Sequence, residues 1–352
     1  MARKWRVAIL GLGHWYSAYN LARALREYPK AELAAVAWHN SEQLAEFTSS
    51  FEVRGYSDYD ELLEREEVDL VHIATPVAEM PDCTIRAARA RKHIVLGKPM
   101  AMTMEQADQM VEAVEGSGVK CVAFQGINRL GRPLSGNLKV RIEAGEIGEI
   151  VVMHATARWS IAEDWYRSGS PGWFADPKQV PGGAFIDEGI YWIDQLRWLA
   201  GSEVVQVEAK MANLVHHDIE VEDWGMATFT FANGIIATLE AAWTINSPRP
   251  TGPSPKQNAV LRLEIIGSRG EIIEDGLRVP GRAVLAAHSP GWVFEREAAE
   301  PFGPPTPFPL DHLIECVEHD RQSPASIQEA RKSFRVALAA YQAAREGRPI
   351  NL

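Results

Sequence analysis

The chain has 352 residues, of which 46% are hydrophobic and 24% are charged, and its formal net charge is -11. This length exceeds what one compact core usually supports, so it predicts two domains. The composition is typical of a globular protein, and the negative charge argues against nucleic acid as a partner, because phosphates require a basic surface.

Three further features indicate the compartment. No apolar run approaches the roughly 18 residues that a membrane-spanning helix needs. Residues 1–6 are basic, but the apolar run after them leads into Gly11-Leu12-Gly13 without a cleavage pattern, so we interpret it as a first strand and not as a signal peptide. The three cysteines are widely spaced, which indicates free thiols. We therefore expect a cytoplasmic protein with no membrane partner.

The first 125 residues alternate between short apolar runs and amphipathic stretches. The strand candidates are Trp5–Leu10, Leu33–Trp38, Leu70–Ala74, Ile94–Leu96 and Cys121–Gln125. The helix candidates are Tyr19–Tyr28, Ser41–Ser50, Tyr59–Glu66, Pro81–Ala90 and Met104–Gly116. Apolar strands with little polar alternation, joined by helices, predict a parallel sheet covered on both faces. Residues 1–125 are thus predicted to form one α/β domain.

From residue 126 onward the strand candidates alternate more clearly between apolar and polar residues. They are Ile150–Ala157, Val204–Lys210, Ala227–Phe231, Ile235–Thr244 and Leu261–Ile266. Asn233-Gly234 is a strong hairpin signal, and Ser268-Arg269-Gly270 is a weaker one. The pattern predicts a second, α+β domain over 126–352 with an open, largely antiparallel sheet.

Two helices complete this second domain in the prediction. One runs from about residue 183 to residue 200 and packs on the open sheet. The other, Ile327–Glu346, is expected to pack back on the first domain. An open sheet faces either solvent or another subunit, and an apolar face favours a homo-oligomer, a dimer or a tetramer.

The segment Gly11-Leu12-Gly13-His14-Trp15 lies where the first strand leads into a helix. Glycines at such a turn let the backbone approach a pyrophosphate, and the N–H groups of the following helix bind it. The third small position of the pattern holds a tyrosine, which is a departure. The position after a first strand nevertheless predicts a bound dinucleotide.

The second strand ends at Trp38-His39-Asn40, without an acidic residue. An acid at this position normally accepts hydrogen bonds from the adenine ribose and disfavours a 2′-phosphate. Its loss gives a slight preference for NADP(H) among the NAD(P)(H) cofactors, because His39, Asn40 and Ser41 can donate to a phosphate. Trp38 either stacks on adenine or is an ordinary buried strand residue.

Lys98 follows an apolar strand and precedes a proline, while Asp187 and Tyr191 lie one turn apart on a helix that begins after Gly182-Gly183. Oxidation of an alcohol by hydride transfer requires a base within hydrogen-bond reach of the hydroxyl. Lys98, Asp187 and Tyr191 are the candidate catalytic residues. The alternatives are a surface lysine, an acid that complements the helix dipole and an aromatic residue at an interface.

Aromatic and basic residues before Gly182 suit a sugar or cyclitol ring. The candidate substrate-binding residues, besides the catalytic three, are Arg129, Arg158, Trp159, Trp165 and Trp173. The alternative is a loop that is packed by its own aromatic residues. His216-His217-Asp218 has no spaced partner, so we predict no metal site.

Several motifs resemble the glucose–fructose oxidoreductase / inositol dehydrogenase (Gfo/Idh/MocA) family, and the similarity spans nearly the whole chain. The matching segments, in order, are residues 8–13, Ala74-Thr75-Pro76, residues 93–99, Asn128-Arg129, residues 145–148 and residues 182–194.

This resemblance implies a Rossmann domain that binds NAD(P), with Ala74, Thr75 and Pro76 beside the cofactor. It also implies oxidation or reduction of a sugar, cyclitol or related polyol, and oligomerisation through the open sheet. Lys98 and Asp187 match the lysine and aspartate that face the substrate in the family, and Tyr191 stands at the position of the motif histidine.

Three positions depart from the family pattern. Gly97 replaces the motif glutamate, and Val77 and Met80 replace the asparagine and histidine that often follow the Thr-Pro pair. Two other functions stay open on the sequence. One is a glycosidase that oxidises a sugar transiently and then eliminates the aglycone, and the other is a non-catalytic dinucleotide sensor.

Overall fold

The computed structural model describes residues 3–130, 133–159, 172–244, 260–275, 281–286, 289, 291, 293–296 and 307–352. Contacts divide the chain into two compact units. The first is Met1–Ile127 with Pro301–Arg331, and the second is Asn128–Glu300 with Lys332–Leu352. Among the described residues, no helix is both long and apolar enough to cross a membrane.

The first unit contains a six-stranded parallel sheet in the order β3-β2-β1-β4-β5-β6. Its strands are β1 (Trp5–Leu10), β2 (Ala31–Ala37), β3 (Arg54–Tyr56), β4 (Leu70–Ile73), β5 (His93–Leu96) and β6 (Cys121–Ala123). This order is that of a dinucleotide-binding Rossmann sheet. The predicted parallel sheet is confirmed. The short β3 escaped the sequence analysis because its three residues are mostly exposed and carry no apolar run.

Helices connect these strands as the alternation predicted. They are α1 (Trp15–Leu25), α2 (Ser41–Phe51), α3 (Tyr59–Arg65), α4 (Met80–Arg89) and α5 (Met104–Ser117). The side chain of Thr103 accepts the N–H of Gln106, and the Gln106 side chain accepts the N–H of Met102. This reciprocal pair fixes the start of α5.

The second unit is built on a nine-stranded mixed sheet that comprises β7 to β15. The elements up to residue 296 are α6 (Pro133–Glu143), β7 (Ile150–Arg158), α7 (Ala184–Ala200), β8 (Val204–Ala212), β9 (Trp224–Phe231), β10 (Ile236–Ala242), β11 (Val260–Gly267), β12 (Glu271–Asp275), β13 (Gly281–Leu285) and β14 (Val293–Arg296). All neighbours pair antiparallel except β7 and β10. The predicted, largely antiparallel sheet is confirmed.

The end of the chain is shared between the two units. Its elements are α8 (Leu310–Glu318), α9 (Ile327–Glu346) and β15 (Ile350–Asn351). The sequence-based boundary assigned all of 126–352 to the second domain, whereas residues 301–331 group with the first unit and most of α9 groups with the second. The structure differs here because α8 packs on β5 and β6, while β15 pairs with β8.

Both predicted hairpins occur in the second sheet. Gly234 adopts a φ of 87°, which favours glycine, in the turn between β9 and β10. The N–H of Gly267 bonds the carbonyl of Gly270 in the turn between β11 and β12.

Helix α7 packs on one face of the second sheet, against Leu239 and Ala241 of β10. Side chains alternate between the two faces of a strand, so the neighbours of these residues lie on the other face. We call that other face the open face, and it carries Met226, Thr228, Ile236, Thr238 and Glu240.

His72 is a buried polar residue in the first sheet. It lies on β4, is 3% exposed, and its Nε2 is 2.8 Å from Ser17 Oγ on α1. Burial lowers the pKa of His72 from 6.5 to about 4, so the ring is neutral near neutral pH and ties the first turn of α1 to the sheet.

We predict that the first unit loses stability on mild acidification because of His72. The unfolded residue binds a proton near its ordinary pKa of 6.5 and the folded one only near 4. Stability therefore falls as the pH drops through this interval. The expected loss from His72 is about 2 kcal/mol between about pH 7 and about pH 5. Urea unfolding of the wild type and of His72→Gln at both pH values measures it. Equal losses in the two proteins would contradict the prediction.

Candidate active site

The glycine turn after β1 is packed against the segment that follows β4. Gly11 has a φ of 92°, and a Cβ on it would lie 2.5 Å from Thr75 Cγ2 and 2.8 Å from Thr75 N. A Cβ on Gly13 would lie 2.5 Å from Pro76 Cδ. Any side chain at either glycine would therefore force the two segments apart. Two motifs more than sixty residues apart thus form one surface at the carboxyl edge of the parallel sheet.

This surface has the features that a dinucleotide requires. Helix α1 starts at Trp15, and the side chain of its N-cap residue, His14, does not cap the helix. The N-terminus of a helix that follows a first strand is where backbone N–H groups bind a phosphate in dinucleotide-binding sheets. In the part of the chain that the structure describes, the buried Oγ1 of Thr75 has no hydrogen-bond partner. Leu12 is buried beneath the turn. These residues fit the predicted cofactor.

Lys98 lies just after β5, at the same edge of the sheet, and is only 6% exposed. A Cβ on its neighbour Gly97 would lie 2.7 Å from Met80 Cε and 3.1 Å from the carbonyl oxygen of Ile73. Met80 thus fills the space that a larger residue at position 97 would need. Two of the departures from the family motif, Gly97 and Met80, are therefore packed against each other.

The ring of His14 is near the Lys98 ammonium. Burial lowers the pKa of His14 well below 6.5, the charge of Lys98 lowers it further and the neighbouring His72 adds to this, while a hydrogen bond to the Lys98 backbone opposes them. His14 is 4% exposed, and its Nδ1 is 3.2 Å from Tyr16 Oη. The glycine turn and Lys98 are consequently parts of one buried polar cluster.

The residues at the end of β2 have partners within the protein. Trp38 is 5% exposed, and its Nε1 donates to Gln43 Oε1 at 2.6 Å. Of the two interpretations of Trp38, this favours an ordinary buried residue over a ring that stacks on adenine. The side chain of Asn40 accepts the N–H of Gln43 and caps α2, so its oxygen is not directed at a cofactor. His39 is exposed, with its ring centroid 3.9 Å from that of Trp38.

In the second unit, a buried carboxylate holds the start of α7. Glu222 accepts the N–H of Gly183 and of Phe185, each at 2.9 Å, and the hydroxyl of Tyr341 at 2.7 Å. The same hydroxyl oxygen accepts the N–H of Ile186 at 3.1 Å. Three N–H groups at the N-terminus of α7 are therefore satisfied by two side chains that lie far away in sequence.

The glycine pair before α7 is required by this arrangement. A Cβ on Gly183 would collide with the carbonyl oxygen of Glu222, and one on Gly182 with the ring of Tyr341. Burial raises the pKa of Glu222, and its hydrogen bonds from Tyr341, Gly183 and Phe185 oppose that rise. Burial likewise raises the pKa of Tyr341, and Glu222 adds to it, so the phenol stays protonated and donates.

Asp187 and Tyr191 lie on the helix that this carboxylate anchors. Asp187 is in the first turn and 8% exposed, and Tyr191 is half-buried one turn later. Residues four apart share a helix face. The second unit therefore presents an acid and a phenol together, as the sequence predicted.

Arg129 has a partner inside the second unit. Its Nε donates to Asp194 Oδ2 at 2.6 Å and its Nη2 to Asp194 Oδ1 at 3.1 Å. Asp194 is fully buried and also accepts the hydroxyl of Ser333. The structure thus gives the guanidinium a bidentate internal ion pair, and we omit Arg129 from the proposed substrate site.

Arg158 also differs from the prediction. It alternates with Ala157 on β7, so it lies on the open face and not beside α7, and its Nε is 3.3 Å from Glu240 Oε2. Trp173 is 9% exposed and its ring is stacked on Phe174 at 3.9 Å, which favours a segment packed by its own aromatic residues. Trp159 is half-buried after β7. Trp165 lies outside the described residues.

Two other features of the second unit carry no catalytic group. A cavity of about 700 Å³ is lined by residues including Lys139, Asn233 and Arg269, but Lys139 and Arg269 already donate to backbone carbonyls. The N–H of His216 bonds Asp223, and its Nε2 is 3.0 Å from the carbonyl oxygen of Trp243. Among the described residues, no group of three or more potential ligands could hold a metal ion.

Sequence reasoning missed Glu222 and Tyr341. The glycine pair indicates that something approaches the backbone closely, but only the folded chain shows which residues approach it. Glu222 and Tyr341 lie 39 and 158 residues, respectively, after Gly183 in the chain.

Comparison with known proteins agrees with the description of both units. Residues 5–125 match the model of an oxidoreductase family with an NAD-binding Rossmann fold, and residues 137–273 match the GFO/IDH/MocA C-terminal domain. The chain belongs to the Gfo/Idh/MocA family. Membership identifies it as an NAD-binding oxidoreductase and confirms the resemblance that the motifs indicated.

Three proteins illustrate its relatives in this family. A scyllo-inositol 2-dehydrogenase (NAD(+)) of Bacillus subtilis is 28% identical, with 100% of this chain and 97% of that protein covered. A myo-inositol 2-dehydrogenase of Thermotoga maritima is 27% identical over 78% of this chain and 76% of that protein. An aldose-aldose oxidoreductase of Caulobacter crescentus, solved with glycerol, has a TM-score of 0.81 and 27% identity, with 99% of this chain and 100% of that one covered.

We predict that removal of the Glu222 carboxylate displaces Asp187. Glu222→Ala leaves the N–H groups of Gly183 and Phe185 without their acceptor, which should lower stability by about 2 kcal/mol. A shift of the first turn should lower kcat by at least about tenfold. Thermal unfolding and steady-state kinetics below the unfolding transition measure the two effects.

The control is Glu220→Ala, because Glu220 is exposed two residues away. It should leave both the stability and kcat close to those of the wild type. A Glu222→Ala protein with normal stability and normal kcat would show that α7 does not need this cap.

Proposed function

We propose that the protein transfers a hydride between a nicotinamide dinucleotide and a secondary alcohol or ketone of a sugar, cyclitol or related polyol. The observation that carries this proposal is the position of Lys98. It is 6% exposed directly after β5, at the carboxyl edge where ligands bind to parallel sheets. The glycine turn and His14 lie beside it.

The printed names of the relatives support this substrate class. Two of them are inositol 2-dehydrogenases and a third is an aldose-aldose oxidoreductase. All three names describe reactions at hydroxyl-bearing carbons of cyclitols or sugars. The substrate of this chain is proposed on that basis, together with the retained Lys98 and Asp187.

We assign the proton transfer to side chains of this chain. Loss of hydride from a carbinol carbon requires that the hydroxyl gives up its proton. In the proposal, Lys98 exchanges that proton with the substrate oxygen, and in the reverse direction its ammonium polarises the ketone. Asp187 accepts hydrogen bonds from substrate hydroxyls, and Tyr191 relays the proton. The bound nicotinamide supplies the hydride acceptor.

The family assignment alone does not determine whether this chain prefers NAD or NADP. The family model specifies NAD binding, and among the relatives one is named for NAD(+) and another for NADP(+). The lack of an acid at the end of β2 predicts a slight preference for NADP(H). That preference stays a prediction.

We also propose that the open face of the second sheet joins copies of this chain into a dimer or tetramer. Met226 and Ile236 on this face are 44% and 45% exposed. Among the described residues no helix covers this face, and exposed side chains of this size favour a second subunit as the cover.

We predict that Lys98→Ala abolishes turnover, with a loss of at least about a thousandfold in kcat, because the proton acceptor is removed. Dinucleotide affinity should stay within a few-fold of the wild type. A panel of polyols, aldoses and cyclitols with NAD and with NADP measures turnover, and nicotinamide fluorescence measures binding.

The matched control for this variant is Lys92→Ala. Lys92 precedes the same strand at its opposite end and donates to the carbonyl of Val68. It should keep normal kcat. Near-normal turnover in Lys98→Ala would remove Lys98 from the mechanism, and a wild type that binds dinucleotide but oxidises or reduces nothing in the panel would support a sensor instead.

We predict that Ile236→Glu reduces the oligomer to smaller species, because a buried charge at a subunit interface is costly. Sedimentation velocity of the wild type and the variant measures the mass. Leu214→Glu is the control, because Leu214 is exposed in the loop after β8. A monomeric wild type would contradict the proposed oligomer.

A further inference from the structure

The end of β2 lacks an acidic residue in the sequence, but the fold supplies one from another strand. Glu79 ends the 3₁₀ turn Val77–Glu79 after β4. Its Oε2 is 4.0 Å from Nδ1 of His39, the second residue after β2. Residues that follow β2 and β4 therefore meet at the carboxyl edge of the sheet, where the first unit is expected to hold the adenine ribose.

Tyr59 fixes the position of this carboxylate. It is the first residue of α3, which follows β3, and its hydroxyl donates to Glu79 Oε2 at 3.0 Å. Burial raises the pKa of Tyr59, and the nearby Cys83 and Glu79 add to the rise, so the phenol stays protonated and keeps donating. Segments after three successive strands of the chain thus converge on Glu79.

The carboxylate keeps an oxygen for a ligand. Within the described part of the chain, the Tyr59 and His39 contacts both involve Oε2. The Glu79 side chain is 35% exposed, so Oε1 can accept a hydrogen bond from outside the protein. A carboxylate at this point accepts from a ribose hydroxyl but repels a 2′-phosphate.

Two of the three residues that could bind a 2′-phosphate are engaged elsewhere or lie beside this acid. The Asn40 side-chain oxygen is held by the N–H of Gln43, which orients the amide as a helix cap. His39 is a candidate cation, but it lies next to Glu79 itself. A phosphate placed between them would meet a like charge.

We propose that Glu79 is a specificity-determining residue that makes this protein prefer NAD over NADP. It takes the place of the acid that other Rossmann sheets carry at the end of β2. This inference rests on the proposed dinucleotide-dependent function, and it reverses the slight preference for NADP that the sequence alone suggests.

The test compares dinucleotide affinities and does not require turnover. Isothermal titration of the wild type with NAD⁺ and with NADP⁺ should show NAD⁺ bound at least about tenfold more tightly. In Glu79→Gln this ratio should fall by about tenfold, chiefly because NADP⁺ binds better. Glu46→Gln, which removes an exposed acid further along α2, is the matched control and should keep the wild-type ratio.

Ionic strength gives a second measurement on the unaltered protein. Salt screens the repulsion between Glu79 and the 2′-phosphate. A rise in salt concentration from about 0.05 M to about 0.5 M should therefore reduce the preference for NAD⁺ over NADP⁺. If His39 attracted the 2′-phosphate instead, salt would weaken NADP⁺ relative to NAD⁺. The direction of this salt effect distinguishes repulsion by Glu79 from attraction by His39, even if Glu79→Gln fails to fold.

The outcomes separate the two levels of the proposal. A wild type that prefers NADP⁺, or a ratio that is the same in Glu79→Gln as in the wild type, would overturn the role of Glu79 alone. A folded wild type that binds neither dinucleotide would overturn the proposed function, and this inference with it.

Discussion

The proposed chemistry of the second unit depends on one buried carboxylate. Glu222 and the Tyr341 hydroxyl that it orients bind three N–H groups at the start of α7. Without an acceptor, those groups would be costly to bury. The start of the helix is therefore fixed, and the direction of Asp187 and Tyr191 is fixed with it. This contact requires the glycine pair before α7, because any side chain there would collide with Glu222 or Tyr341.

The first unit follows a related principle at the glycine turn after β1. Gly11 and Gly13 allow the loop after β1 to lie against Thr75 and Pro76. Lys98 lies at the same edge of the sheet, beside the His14 ring. In both units, a pair of glycines allows a distant segment of the chain to approach the backbone closely. The same convergence of segments after separate parallel strands brings Glu79 to the end of β2.

Much of the fold could be predicted from the sequence because its signals are local. The bounds of β1 and α9 were predicted to the residue, and the Asn233-Gly234 turn lies where the pattern indicated it. The exposed β3 could not be predicted, since it lacks an apolar run. The site was predicted in part. Lys98, Asp187 and Tyr191 stand out by motif, but the ion pairs of Arg129 with Asp194 and of Arg158 with Glu240 are contacts between distant residues.

The sequence by itself determined the two-domain plan, the parallel and antiparallel sheets and the position of the glycine turn after β1. Hydrophobic periodicity and turn residues act over a few positions, and each leaves its mark in the order of the amino acids. Only the tertiary structure decided which carboxylate binds the N–H groups at the start of α7 and which one lies beside the His39 ring. Glu222 and Glu79 are ordinary acids in the sequence. They acquire their roles because folding buries the first against the start of α7 and brings the second beside His39.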